Sequence, residues 1–184
     1  MSDDAIRLRP VQDDDFPELN RFLTDPETVG PFQWTGWTDP RAWRRRWEEN
    51  GMLSDDGGVL AIVSGGGDDG ARLGIVGWRK VVNWRTSFSW NMGAQLFPAF
   101  RGRGAGTGAG TRAQRLLVEY LFAHTIAHRV EADTEAENVA ERRALEKAGF
   151  TFEGIMRGFA FRDGKWRDAA RYGVLRDDLL PGSG

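Results

Sequence analysis

The sequence predicts an α+β fold, one domain over residues 1–184, and three observations predict it. Strand-like runs follow one another through the middle of the chain with only short turns between them, which marks an antiparallel meander. Segments of helical periodicity stand on either side of that meander. No internal repeat and no linker divides the chain, and its 184 residues suffice to close a single core.

AIRLRP alternates like a short strand. DDDFPELNRFLTD follows, with Phe16, Leu19, Phe22 and Leu23 at helical spacing. TDPRAWRRRWEEN predicts a second helix, in which Thr38 or Asp39 can cap, Pro40 sits in the first turn, and Trp43 and Trp47 share a face. The aromatic loop GPFQWTGW lies between these two helices. GVLAIVS, RLGIVGWRKVVN and SFSWNMGAQLF are the three strands of the meander. A glycine-rich stretch then leads into a helix on which Ala109, Ala113, Leu116, Leu117, Tyr120 and Leu121 recur at three and four residues. RVEAD is expected as a fourth strand adjoining the meander, and AENVAERRALEKAGF as a helix stopped by Gly149. TFEGIMRGFAFRDG and KWRDAARYGVLRDDL close the chain as two strands around a DGK turn.

Composition narrows the function classes. No run approaches ~18 apolar residues, so no membrane span is expected, and MSDDAIRLRP has no apolar stretch of the kind a secretory leader carries. The chain holds no cysteine, which removes disulfides, thiolate metal sites and a cysteine nucleophile. A cytoplasmic protein without a metal is the resulting expectation. Between Gly70 and Val118 there is no acidic residue but eight basic ones, a balance suited to a polyanionic ligand. These arginines gather at one ligand-sized loop without a recognition helix, so nucleic acid is not expected as a partner.

That loop is FRGRGAGTGAG, with glycine at every second position from Gly102 to Gly110. A strand, a short glycine loop and a helix N-terminus form an anion-binding arrangement, because unpaired N–H groups and the positive end of the helix dipole converge there. No Gly-Lys-Ser/Thr follows, so a phosphate-hydrolysing loop does not fit. Thr107 stands where a dinucleotide fingerprint needs its third glycine. A pyrophosphate-bearing ligand held by backbone amides remains.

LFPAFRGRGAGT resembles the Arg/Gln-x-x-Gly-x-Gly/Ala signature of the GNAT superfamily of acyl-CoA-dependent N-acyltransferases, with Arg101, Gly104 and Gly106 at the fixed positions. ENVAERRALEKAGFTFEG is similar to that superfamily's second motif, most of all in the branch of ribosomal-protein alanine N-acetyltransferases. The resemblance implies a mixed, mostly antiparallel sheet splayed at its centre, helices on both faces, and acetyl-CoA as co-substrate. It implies that Arg101, Gly102, Arg103, Gly104, Ala105, Gly106 and Thr107 bind the pyrophosphate. Leu96, Phe97 and Asn138 are the implied contacts of the pantetheine arm. A homodimer is compatible with it.

The implied reaction is direct attack of an amine on the thioester, which requires positioning, a proton acceptor and a donor for the oxyanion and thiolate. The branch carries a serine three residues after the asparagine, and this chain has Glu141 there. Glu141 is therefore a candidate acid or base, or else a solvated residue paired with Arg142, Arg143 or Lys147. Asp133 and Glu135 are further base candidates or anchors for a cationic acceptor. Tyr172 is a candidate acid or pocket wall, and His124 and His128 are read as structural. Phe32, Trp34, Trp37, Trp84 and Trp90 are candidates for the acceptor pocket, in competition with core filling. The expected acceptor is a peptide N-terminus or a small metabolite, polyamine or antibiotic, and the aromatic-rich loop favours the metabolite. A non-catalytic acyl-CoA-binding module and a succinyl or other acyl donor stay open as alternatives.

Overall fold

The computed structural model describes residues 6–65, 70–102 and 108–179. Its first half runs β1 (Ile6–Pro10), α1 (Phe16–Thr24), α2 (Pro26–Val29), α3 (Ala42–Asn50), β2 (Leu53–Ser54), β3 (Gly57–Ser64), β4 (Ala71–Trp84) and β5 (Ser87–Leu96). The second half runs α4 (Ala109–His124), β6 (Arg129–Glu135), α5 (Val139–Ala148), β7 (Thr151–Arg162) and β8 (Lys165–Leu175). The long periodic segments fall where the sequence predicts them. The single turn α2 and the two-residue β2 were not foreseen, being too short to carry a period.

The strands form one sheet in the order β1-β3-β4-β5-β6-β8-β7, with β2 attached to β3. Residues alternate across a strand, so the two faces of β3 and β4 bury different partners. Leu60, Ile62, Val76 and Trp78 pack with Ala113, Leu117 and Leu121 of α4 and Leu145 of α5. Val59 and Ile75 pack on the other face with Phe16, Leu19 and Phe22 of α1, against which Trp43 and Trp47 of α3 also lie. Burial from both sides explains why every residue of β3 is buried.

RVEAD, expected to adjoin the meander, does so in the opposite sense. β6 runs parallel to β5, whereas the other paired strands are antiparallel. Parallel neighbours need a crossover, and α4 supplies it. The parallel pairing covers only Trp90↔Val130, Asn91↔Glu131 and Met92↔Ala132. Beyond it β5 stays bound to β4 as far as Leu96↔Gly74, and β6 to β8 as far as Glu135↔Ala169. Each strand is thus held on its outer edge while the inner edges part. The sheet is splayed at its centre, and the gap opens toward the N-terminus of α4.

Candidate functional site

The gap is a cleft of two joined lobes. One lobe, of about 300 Å³, lies between the parted strands under β7 and the loop before α3. The other, of about 500 Å³, extends over the end of β5 to the first turns of α4 and α5. Phe32, Gln33, Ala94, Gln95, Asn138 and Glu141 border both lobes, so a ligand reaching from one to the other passes Glu141.

The larger lobe suits an anion. Arg112 N–H to Gly108 C=O, at 2.8 Å, is the first hydrogen bond of α4, so the amides before it lack helical partners. Gly108 holds φ at 90°, a left-handed conformation that favours glycine, and this aims the chain into the helix. Gly108 is the residue at the helix cap. Arg101, Arg143 and Lys147 border the same lobe. Arg101 donates to Leu96 C=O at 2.7 Å, and burial lowers its pKa. Inner-edge backbone of β5 and this cationic, amide-rich end fit the extended arm and phosphates of the acyl-CoA that the sequence resemblance implies.

Glu141 sits at the junction. It occupies the first turn of α5, where its N–H bonds the side-chain oxygen of the capping Asn138 at 3.2 Å. An Asn-x-x-Glu order often marks a glutamate that reaches back to the cap. Here its carboxylate turns to α4 instead and accepts from Nε2 of Gln114 at 2.6 Å. Gln114 is fully buried, and its own Oε1 has no partner among the described residues. Burial pushes the pKa of Glu141 up to about 7, opposed by the Gln114 hydrogen bond. No salt bridge involves it among the described residues, so the alternative of pairing with Arg142, Arg143 or Lys147 does not hold.

Asp133 and Glu135 also border the smaller lobe. Asp133 accepts from Arg171 at 2.9 and 3.1 Å and from Asn91 at 2.9 Å. Glu135 is held by a two-pronged Arg162 contact at 2.6 and 2.8 Å. Glu135 is buried, Asp133 is partly so, and both carboxylates are committed to arginine, a poor state for a general base. Leu96, Arg101, Gly102 and Asn138 line the cleft. Arg103, Gly104, Ala105, Gly106 and Thr107 lie outside the described residues.

Several expectations need correction. Tyr172 is fully buried and faces α5, where its hydroxyl donates to Glu146 at 3.0 Å and accepts from Arg142 at 3.2 Å. Its neighbour Ala169 lines the cleft from the opposite face of β8, so Tyr172 has the wrong parity. The Phe97 side chain packs edge-on against Phe22, its N–H bonds Leu73 C=O at 2.8 Å, and its C=O accepts from Phe100 at 2.9 Å. Its N–H is therefore taken by β4 and not free for a ligand arm. Trp90 pairs with Val130 where the strands are still joined, and its Nε1 donates to Thr125 at 3.0 Å. Trp84 is exposed at the far end of β4. Trp34 and Trp37 contact each other, with ring centroids 5.0 Å apart, and neither lines the cleft. Of the five aromatic candidates Phe32 alone does. Sequence reasoning missed Gln114, Phe159, Phe161 and Arg162. A glutamine on the apolar stripe of a helix was the one readable signal, and the other three depend on where the β7 edge falls.

The sequence profile of the acetyltransferase (GNAT) domain matches residues 5–151. No curated protein matches the chain. Solved structures share the fold at low identity. The spermidine N-acetyltransferase from Vibrio cholerae, in complex with CoA and spermine, has a TM-score of 0.74 and 16% identity, over 95% of this chain and 98% of that one. Ribosomal-protein-S5-alanine acetyltransferase from Vibrio fischeri has a TM-score of 0.74 and 17% identity, over 96% of each chain. Mycobacterium smegmatis RimJ, in complex with CoA-disulfide, has a TM-score of 0.74 and 24% identity, over 95% of this chain and 83% of that one.

Proposed function

Because the chain belongs to the GNAT family of acetyltransferases, we propose that it transfers the acetyl group of acetyl-CoA directly to a primary amine, with Glu141 as the group that accepts the amine's proton. The observation that carries this reading is the Glu141 carboxylate at the junction of the two lobes. It is bound by Gln114, has no cationic partner among the described residues, and is tuned to about 7. A base works best when its pKa lies near the working pH.

In this reading the amine enters the smaller lobe and the thioester lies along the inner edge of β5. An ammonium gives one proton to the Glu141 carboxylate, and the neutral nitrogen attacks the carbonyl carbon. The N–C bond forms, the C–S bond breaks, and the nitrogen's second proton is lost on the way to the amide. One of the two protons ends on the thiolate and the other in solvent. The N–H groups of Ala94 and Leu96, on the inner edge beyond the last pair with β6, are the oxyanion donors. Arg101, Arg143 and Lys147 hold the phosphates.

The test is to incubate the protein with acetyl-CoA and a panel of primary amines, following free thiol and the mass of the amine product. Thiol release matched by an amine heavier by one acetyl group is expected. Tight CoA binding with no amine consumed would replace transfer by acyl-CoA binding alone.

A further inference from the structure

The smaller lobe carries a further reading about which amine it takes, and this rests on the acetyl-transfer reading of the same site. Its carboxylates give the first constraint. Asp133 and Glu135 are both neutralised by arginines of β8 and β7, at 2.6 to 3.1 Å, so each pair presents a small dipole rather than a charge. Arg162 also contacts Asp163, which is exposed and does not line the lobe, and its guanidinium stands 5.8 Å from the centre of the Phe32 ring. The lobe therefore has neither a spare anion for a second ammonium nor a spare cation for a substrate carboxylate. Glu141 is its one acid without a cationic partner among the described residues.

The apolar lining gives the second constraint. Met92, Ala132 and Ala169 also line the lobe, all of them buried. Phe159 and Phe161, on the outer strand β7, rise beside it and are 47% and 58% exposed. The volume of about 300 Å³ lies at the low end for a small-molecule site and is short for a peptide chain. A body of aromatic size placed against these rings would cover the phenylalanines and leave a single amine at the junction.

We propose that the acceptor is a small primary monoamine with an apolar, aromatic-sized body, of the arylalkylamine kind, selected by Phe159 and Phe161. The Glu135–Arg162 and Asp133–Arg171 pairs exclude polyamines, because they withhold the carboxylates that a second ammonium needs.

The test measures initial rates at saturating acetyl-CoA with 2-phenylethylamine, spermidine and trialanine amide. kcat/KM for 2-phenylethylamine should exceed that of the other two by about ten-fold or more. Phe159→Ala, at an exposed position that leaves the core intact, should raise KM for 2-phenylethylamine about ten-fold and shrink its kcat/KM advantage over spermidine. Arg162→Gln releases Glu135 and should raise kcat/KM for spermidine. Spermidine or the peptide used as well as 2-phenylethylamine by the unaltered protein would overturn the acceptor assignment and leave acetyl transfer standing. No amine consumed would overturn both.

Discussion

Glu141→Gln should make the protein slower and more stable at once, and both magnitudes follow from the position of one carboxyl. Glutamine keeps the shape of the side chain and can accept from Gln114 Nε2 where the carboxylate now does, at 2.6 Å. Its own amide N–H can meet Gln114 Oε1, which lacks a partner among the described residues, so the exchange completes a hydrogen-bonded pair. What is lost is the proton acceptor, worth about 10²- to 10⁴-fold in turnover. In the unaltered protein turnover should rise with pH through about 7, with about a tenth of Glu141 in its base form at pH 6 and about nine-tenths at pH 8. The same pKa sets the stability term. Because the folded value of about 7 lies above the ordinary 4.5, the native state keeps a proton that the unfolded chain has already lost between those two values. Stability therefore falls as pH rises across that window, by up to about 3 kcal/mol at 1.36 kcal/mol per pH unit, and glutamine has no such dependence. Thermal unfolding should give equal Tm values for the two proteins near pH 4.5 and a Tm for the variant about 5–10 °C higher at pH 8. Steady-state thiol release at saturating acetyl-CoA and amine reads the rate. Unchanged turnover at pH 8 would refute the proton-acceptor role, and a Tm difference independent of pH would refute the raised pKa.

Gln114→Leu removes the hydrogen bond that favours the Glu141 carboxylate, and the midpoint of the pH–rate curve should move upward by about one pH unit. A midpoint left in place would mean that Gln114 does not act through Glu141. Tyr172→Phe takes away a hydroxyl shared with Arg142 and Glu146 but no wall of the cleft, so it should cost about 1 kcal/mol in denaturant unfolding with kcat/KM unchanged. A ten-fold fall in kcat with stability intact would return Tyr172 to the site. Arg143→Ala combined with Lys147→Ala should weaken CoA binding by about ten-fold or more in calorimetric titration, and added salt should shrink the gap between variant and parent. Equal affinities at low salt would remove these two residues from phosphate binding.

The parts of the fold that the sequence announces are those with a long period or a backbone demand. The 16-residue α4 and the fully buried β3 carry strong patterns, and Gly149 closes α5 at φ 99° as a helix-ending glycine should. Short elements leave no such trace, and α2 and β2 were invisible for that reason. Strand direction was equally hidden, since RVEAD has the same alternation whether it runs parallel or antiparallel to β5. The consequence reaches the site, because it is the parallel pairing, ended after Met92↔Ala132, that makes the cleft.

For the site, parity and distance along each strand decided what residue type could not. Tryptophan is as apt for a pocket wall as for a core, and Trp90 sits before the point where the strands part while Trp84 lies at the far end of β4. Tyr172 and Ala169 differ by an odd number of residues on one strand, so at most one of them can face the cleft, and it is the alanine. The acids show the same limit. Asp133, Glu135 and Glu141 are equivalent in sequence as carboxylates near a ligand, yet the arginines that neutralise the first two stand 27 and 38 positions away on other strands. Glu141 instead meets an uncharged glutamine from the preceding helix. Both of the contacts that separate a poised carboxyl from two structural ones are long-range, so only the assembled sheet distinguishes them. In the proposed reading, the same assembly leaves the smaller lobe with one acid that has no cationic partner among the described residues, and with aromatic rings to hold the body of an amine.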